Sequence, residues 1–125
     1  MAQDSLEPAI IDSRAIWNDT GFEVVAGLRY EVAVSGQWHD ASHVTGPEGW
    51  PGNGVVNWFK FLRRARHFEW AALVGSVDQR KPYIHLMPGT FVAPATGRLY
   101  CFANDAPGFY GNNHGSLKLT ITKPR

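Results

Sequence analysis

The sequence predicts an all-β fold of two packed antiparallel sheets, and two observations favour it. Short runs of β-forming residues are separated by turn residues along most of the chain. Residues 117–122 alternate apolar and polar side chains, as in a strand with one buried and one wet face. The 125 residues are the length of one ordinary domain. We therefore expect a single domain over residues 1–125, with residues 1–14 as a loosely ordered N-terminal extension.

The predicted elements follow the chain in order. Residues 21–25 and 30–34 are the first two strands, because both are rich in β-branched and aromatic side chains. Glycine and proline are frequent in residues 37–54, which predicts a long irregular loop. Residues 55–61 are predicted as a strand, residues 63–66 as a basic turn, and residues 59–70 compete as a helix. The other strands are predicted at residues 68–77, 83–86, 90–92, 97–103 and 116–122, the last of them beside the strand that ends at Ala103.

Charge and cysteine content narrow the function classes. The 12 Lys and Arg residues against 11 Asp and Glu residues give a net charge of +1, which provides no general attraction for nucleic acid or an anionic membrane. Cys101 lies alone in an apolar run and is expected to be a buried structural residue. The chain lacks a signal-peptide pattern and any stretch approaching the ~20 apolar residues of a membrane helix. We expect a soluble protein without membrane insertion, cytoplasmic or released without a conventional signal peptide.

The stretch over residues 104–115 is dense in oxygen donors and glycines. Asp105, Asn112 and Asn113 supply one carboxylate and two amides, and the turning backbone can direct the carbonyl of Phe109 inward. Calcium takes ~6–8 oxygen ligands, so this composition is typical of a Ca²⁺ loop whose shell is completed by another segment, water or ligand hydroxyls. The alternative is an ordinary turn between strands, which uses the same residue types.

The same loop resembles a known family. Residues 104–116 match the pattern N-D-x-P-G-x-Y-G-N-N-x-G-S, and this resembles the calcium and sugar loop of the PA-I type galactose-binding bacterial lectins. Weaker similarities follow in the same order at residues 34–36, 46–49, 72–74 and 91–94, so the resemblance spans most of residues 15–122. It implies a small jelly-roll antiparallel β-sandwich of two sheets and a homo-oligomer, either a dimer or a tetramer.

The resemblance also implies a set of calcium ligands. In that family a loop aspartate, two asparagines, a loop carbonyl and one carbonyl from an earlier loop hold the ion, with sugar hydroxyls completing the shell. Carried over by position, the implied ligands are the side chains of Asp105, Asn112 and Asn113, the carbonyl of Phe109 and a carbonyl near His39 or Asp40. The Asp40 side chain adds a further candidate carboxylate.

The implied sugar contacts are less well matched than the calcium ligands. Asp105 and Asn112 are placed to hydrogen-bond two sugar hydroxyls. The family has a tyrosine where this chain has His39 or Asp40, and Phe109 replaces a threonine. The family also has a sugar-contacting histidine where this chain offers residues 50–53. The additional sugar-binding candidates are therefore His39, Asp40, Trp50 and Asn53. These departures from the family pattern affect the expected galactose specificity more than the expected calcium binding.

Three rival chemistries have weaker support. His39 and His43 have a spacing that suits a zinc site on a helix, but they lie among loop-forming residues. Scattered Ser, His and Asp residues form no nucleophile or paired-carboxylate motif, so we expect no catalytic residues and no enzyme activity. The basic and aromatic residues of segment 60–67 have the composition of a nucleic-acid contact, which the net charge of +1 disfavours.

The sequence therefore predicts a calcium-dependent carbohydrate-binding lectin, with galactose or galactosides as its partner and Ca²⁺ bridging protein oxygens to two sugar hydroxyls. The alternative is a structural or protein-interaction β-sandwich in which calcium stabilises the loop and no sugar binds.

Overall fold

The computed structural model describes residues 7–123, and this part of the chain contains ten strands and two short 3₁₀ helices. The strands are β1 Ala9–Asp12, β2 Asn18–Val24, β3 Arg29–Ser35, β4 Trp38–Asp40, β5 His43–Thr45, β6 Leu73–Val77, β7 Arg80–His85, β8 Gly89–Val92, β9 Gly97–Ala103 and β10 Asn113–Thr122. The 3₁₀ helices are Val56–Leu62 and Tyr110–Asn112. None of the helices within residues 7–123 is long and apolar enough to cross a membrane.

Two antiparallel sheets confirm the predicted β-sandwich. The six-stranded sheet has the order β5-β4-β10-β3-β8, with β1 also paired to β10. The four-stranded sheet has the order β2-β9-β6-β7. Strand β10 is the organising strand of the larger sheet, because it pairs with β1, β3 and β4 along its length.

The core lies between the sheets and contains the apolar side of β10, as its alternation predicts. Leu117, Leu119 and Ile121 are buried, whereas Lys118 is exposed. Each such side chain contributes ~1.5–3 kcal/mol when fully buried. Cys101 is buried in β9 as predicted, and burial raises the pKa of its thiol far above the ordinary value, which makes it an inert structural residue.

The predicted pairing of residues 116–122 with the strand that ends at Ala103 is wrong. Strand β9 lies between β2 and β6 in the smaller sheet, whereas β10 belongs to the larger one. The connecting residues 104–112 carry the chain from one sheet to the other, so neighbouring strands in sequence are not neighbours in a sheet. This crossing loop is the segment that carries the predicted calcium residues.

The predicted strand at residues 55–61 is also wrong, because the chain forms the 3₁₀ helix Val56–Leu62 there. The Asn53 Oδ1 accepts hydrogen bonds from the backbone N–H groups of Val55 and Val56, both at 3.0 Å, and this starts the helical turn. The helix buries none of its residues, so its β-forming side chains are not fixed by any core contact.

Three further segments differ from their predictions. The long loop predicted at residues 37–54 contains the β4–β5 hairpin, whose turn places Ala41 at a φ of 54°. The N-terminal extension predicted at residues 1–14 includes strand β1, where Ile11 is fully buried against the core. Pairing with β10 orders this strand, and residues 1–6 lie outside the described part of the chain. The strand predicted at residues 68–77 begins only at Leu73, since Ala71 has a φ of 60°.

Candidate functional site

Three oxygen-bearing side chains from separate segments meet at one end of the β4–β10 ladder. Asp40 ends β4, Asn113 begins β10, and the two residues are direct cross-strand partners. Asp105 lies in the crossing loop, close enough to both for each to affect the pKa of its carboxyl. Asp105 is 3% exposed, Asn113 2% and Asp40 8%. The structure thus brings together three of the side chains predicted as calcium ligands.

Asn104 fixes the position from which Asp105 emerges. Its fully buried Oδ1 accepts a hydrogen bond of 2.9 Å from the backbone N–H of Ala65. Its Nδ2 donates to the carbonyl oxygens of Ala65, Phe68 and Glu69 at 2.9, 3.0 and 2.9 Å. This asparagine therefore ties the crossing loop to residues 65–69. Its place as the first residue of the N-D-x-P-G motif is the one sequence signal for this role.

The Asp105 carboxylate is held in an environment that disfavours its charge. Burial raises its pKa to about 7, and the nearby Asp40 carboxylate adds to the increase. The backbone N–H of Ala106, which donates to Asp105 Oδ1 at 2.8 Å, and the side chain of Asn113 act in the opposite direction. Two buried carboxylates close together are the electrostatic setting in which a bound cation lowers the free energy most.

Asn113 has an oxygen that is not used within the described residues. Its Nδ2 donates to the carbonyl oxygen of Ser13 at 2.9 Å, and this fixes the orientation of the amide. Its Oδ1 is buried and accepts no hydrogen bond from residues 7–123. Leaving such an acceptor unpaired costs ~1–3 kcal/mol. A hard cation is a suitable partner for this oxygen beside two carboxylates, so the residues present fit Ca²⁺.

Trp50 orients Asp40. Its indole Nε1–H donates to Asp40 Oδ2 at 2.9 Å, and its ring stacks on His43 with centroids 3.7 Å apart. A pair of backbone hydrogen bonds to Trp70 holds the Trp50 backbone. Gly49 permits this close approach, because it has a φ of +78° and a Cβ there would collide with the Trp70 carbonyl oxygen. Trp50 therefore contacts a predicted calcium ligand directly.

His39 is separated from this cluster. Successive residues of a strand face opposite sides of the sheet, so His39 lies on the side of β4 away from Asp40. His43 is the cross-strand partner of Asp40 and therefore shares its side. The two histidines consequently face opposite sides of the hairpin, which is incompatible with a shared zinc site.

Asn53 has a local structural role. Its Oδ1 caps the start of the 3₁₀ helix Val56–Leu62 through the two backbone hydrogen bonds described above. An oxygen engaged in this way is less available to a ligand, although the Nδ2 remains a potential donor.

Asn112 and Phe109 lie on the exposed side of the crossing loop. The Asn112 carbonyl oxygen accepts a hydrogen bond of 3.1 Å from the backbone N–H of Ala41, which joins the crossing loop to the β4–β5 turn. The Asn112 side chain is exposed, as is 41% of Phe109. The Phe109 ring packs edge-on against Phe59, with centroids 5.8 Å apart.

Arg64 stabilises the crossing loop, a role that the sequence analysis did not predict. Its backbone N–H donates to the Asp105 carbonyl oxygen at 3.1 Å. Its guanidinium lies 3.5 Å from the ring centroid of Phe102 and 4.6 Å from that of Trp17, and Nη1 donates to the Tyr110 hydroxyl at 2.9 Å. At least one arginine of segment 60–67, Arg64, therefore packs into the fold. The aromatic residues next to it in the sequence were the one signal for this placement.

Replacing Arg64 by Ala is expected to lower the free energy of unfolding by about 2–4 kcal/mol. The substitution removes the charge-assisted hydrogen bonds from Nη1 to the Tyr110 hydroxyl and to the Ile16 carbonyl oxygen, at 2.9 and 2.6 Å, together with the cation–π contacts. Urea unfolding of the two proteins measures this difference. Arg66→Ala is the matched control, since this exposed arginine lies two residues further along. It should change the unfolding free energy by less than ~0.5 kcal/mol. If the two substitutions lowered the unfolding free energy equally, Arg64 would not have the stabilising role assigned to it.

The candidate calcium site is not an acid-rich or histidine-rich cluster. No group of three or more His, Cys, Asp and Glu residues converges within the described residues 7–123. The cluster around Asp105 instead combines two carboxylates with an amide oxygen, which is a donor set for a hard cation and not for a transition metal.

A scan against protein-family models finds no family that matches this chain, and no curated protein matches it significantly. Among solved structures, one described as the EclA N-terminal domain, a PllA-like lectin, is similar with a TM-score of 0.69 and 17% sequence identity. The similarity covers 95% of this chain and 97% of that chain. At this level of identity the comparison shows the fold, an all-β sandwich.

Proposed function

We propose that this protein is a calcium-dependent carbohydrate-binding lectin without enzyme activity, and that galactose or galactosides are its ligands. The observation that carries the proposal is the buried cluster of Asp105, Asp40 and Asn113, in which the Asn113 Oδ1 is unpartnered. The similarity of the whole fold to a protein described as a lectin supports the carbohydrate part of the proposal.

Within this proposal, Asp105, Asn113 and Asp40 hold the ion from the buried side. We assign the remainder of the protein part of the shell to the side chain of Asn112, an exposed residue, and to the carbonyl of Phe109, the residue that precedes the 3₁₀ helix Tyr110–Asn112. Because Ca²⁺ takes ~6–8 oxygens, such a set leaves places for ligand hydroxyls. A bound ion would supply a positive centre for two neighbouring sugar hydroxyls.

The chain's own residues then select and orient the sugar. Asp105 accepts hydrogen bonds from the hydroxyls that reach the ion, and the Asn112 amide can accept or donate them. Trp50 acts through Asp40, whose carboxylate it holds in place at 2.9 Å. His39 and Asn53 lie outside the buried cluster, so their contacts to a sugar depend on how far the ligand extends over the surface.

Calorimetry tests the proposal directly. Galactose and a panel of other monosaccharides are titrated into the protein in calcium, and again after chelation. Heat with galactose that disappears in chelator is the expected result. Calcium binding with no response to any sugar would favour the alternative, a calcium-stabilised structural or protein-interaction β-sandwich, for which chelator lowers Tm and sugars leave it unchanged. Galactose binding that persists in chelator would reject the calcium mechanism.

We also propose that the protein is a homo-oligomer, a dimer or a tetramer. Avidity between several weak sugar sites favours such assembly. The 3₁₀ helix Val56–Leu62 offers a contact surface, because Trp58 is 80% and Phe61 60% exposed. Light scattering should give a multiple of the chain mass, and Trp58→Ser combined with Phe61→Ser should reduce it. A monomeric mass for the unmodified protein would contradict this expectation.

A further inference from the structure

A second concave site lies beside the crossing loop, between residues 64–68 and strand β7. It is a half-open cleft of about 600 Å³, a volume typical of a small-molecule site. The residues that line it are mainly of two kinds, basic side chains and apolar rings, and they include no Asp or Glu. The residues that give it this character are Arg66, His67, Lys81, Phe68, Pro82 and Tyr83.

The cations of this cleft are not neutralised by the fold. Arg66 and Lys81 are exposed, and the Lys81 Nζ lies 6.0 Å from the centroid of the Tyr83 ring. The ion pairs found within residues 7–123 use Arg63 and Arg98, and leave Arg66 and Lys81 without a carboxylate within 4.0 Å. Two solvated positive charges in the lining of one cleft, with no acidic residue in that lining, favour the binding of an anion there.

The apolar wall of the cleft is fixed before any ligand arrives. The Tyr83 ring packs edge-on against Phe102 and Trp17, with centroids 5.4 and 6.5 Å apart. The Phe68 ring packs against His85 at 5.2 Å. The opposite rim is held because Asn104 bonds to three carbonyl groups in residues 65–69. A preformed wall of this kind loses little conformational entropy when a ligand packs against it.

We propose that this cleft binds an acidic saccharide, with its sulfate or carboxylate between Arg66 and Lys81 and the C–H face of its ring against Tyr83 and Phe68. An arginine fork and an ammonium group are both suited to such oxyanions. The aromatic wall provides the apolar surface that a pyranose ring covers. This site uses no residue of the Asp105 cluster and requires no calcium.

The test uses calorimetry in chelator and low salt, so that no calcium-bridged binding contributes. The probes are a sulfated disaccharide, a uronic-acid disaccharide without sulfate, and their neutral parent. We expect at least one acidic probe to bind at least ~tenfold more tightly than the neutral parent. Comparing the affinities of the sulfated and the uronic-acid disaccharides then shows which of the two anions the cleft prefers. Equal affinity of all three probes, or binding of none, would overturn the proposal.

Variants locate the site. Arg66→Gln with Lys81→Gln should weaken the binding of the acidic probe at least ~tenfold. Lys60→Gln with Lys118→Gln removes the same charge from exposed residues outside the cleft and should leave the affinity within ~twofold. Equal losses from the two pairs would show general charge attraction and reject the cleft. If an equal concentration of inorganic sulfate displaced the probe, the sugar ring would add nothing to the affinity, and its proposed packing against Tyr83 and Phe68 would be rejected.

This experiment is separate from the test of the calcium site. Asp105→Ala should leave binding of the acidic probe in chelator unchanged, even though the proposed galactose binding in calcium disappears. Loss of the acidic probe in the Asp105 variant, with the fold retained by its melting curve, would reject an independent second site.

Discussion

Replacing Asp105 by Ala is expected to abolish calcium binding and, with it, galactose binding. Asp105 is the carboxylate at the centre of the candidate site, 3% exposed and close to both Asp40 and Asn113. Loss of a direct carboxylate ligand should lower the affinity for calcium by more than ~100-fold, since loss of even a residue that only contacts a ligand lowers metal affinity by ~10–100-fold. Calorimetry of the variant with calcium and then with galactose measures both effects.

Two controls separate ligand loss from misfolding. Glu31→Ala removes an equal charge from an exposed position of β3 and should leave both affinities unchanged. Asp105→Asn keeps the shape of the side chain and removes the buried charge, so in chelator it should melt at the same or a higher temperature than the unmodified protein. An Asp105→Ala variant that binds galactose with unchanged affinity in calcium would disprove the proposed mechanism.

Calcium binding should weaken as the pH falls through 7. Burial, aided by Asp40, raises the pKa of Asp105 to about 7 in the folded protein. Calcium requires the ionised carboxylate, so protons compete with it below this pH. We expect the Kd for calcium to rise by up to ~tenfold per pH unit between pH 7 and pH 5, and to be nearly constant above pH 8. A Kd that does not change between pH 5 and pH 8 would contradict the raised pKa.

The calcium-free protein should show the opposite dependence in its stability. The ordinary pKa of the carboxyl is 3.8, and its folded pKa is about 7. Between these values the folded state holds a proton that the unfolded state has released, so the unfolding free energy decreases as the pH rises, by at most about 1.4 kcal/mol per unit from this group. Below 3.8 and above 7 the contribution is constant. Urea unfolding in chelator at pH 5 and pH 7.5 measures the slope, and Asp105→Asn should remove it.

Part of the architecture follows from local patterns. The period-two alternation at residues 117–122 predicted a strand with one buried side, and Leu117, Leu119 and Ile121 are buried in β10. The apolar neighbours of Cys101 likewise predicted its burial. Alternation predicts strands well because it depends only on the geometry of successive residues. The same local view failed at residues 55–61, where the cap formed by Asn53 begins a 3₁₀ helix.

The sequence by itself determined the all-β class and the oxygen-rich composition of residues 104–115, because strand periodicity and donor chemistry are properties of consecutive residues. Only the tertiary structure decided which oxygens meet. Asn113 is oriented by Ser13, 100 positions away, and Arg64 reaches Tyr110 across 46 positions. It also placed β9 and β10 in different sheets and positioned Trp50 against Asp40. These contacts arise from the packing of distant segments around one core, so no run of neighbouring residues encodes them.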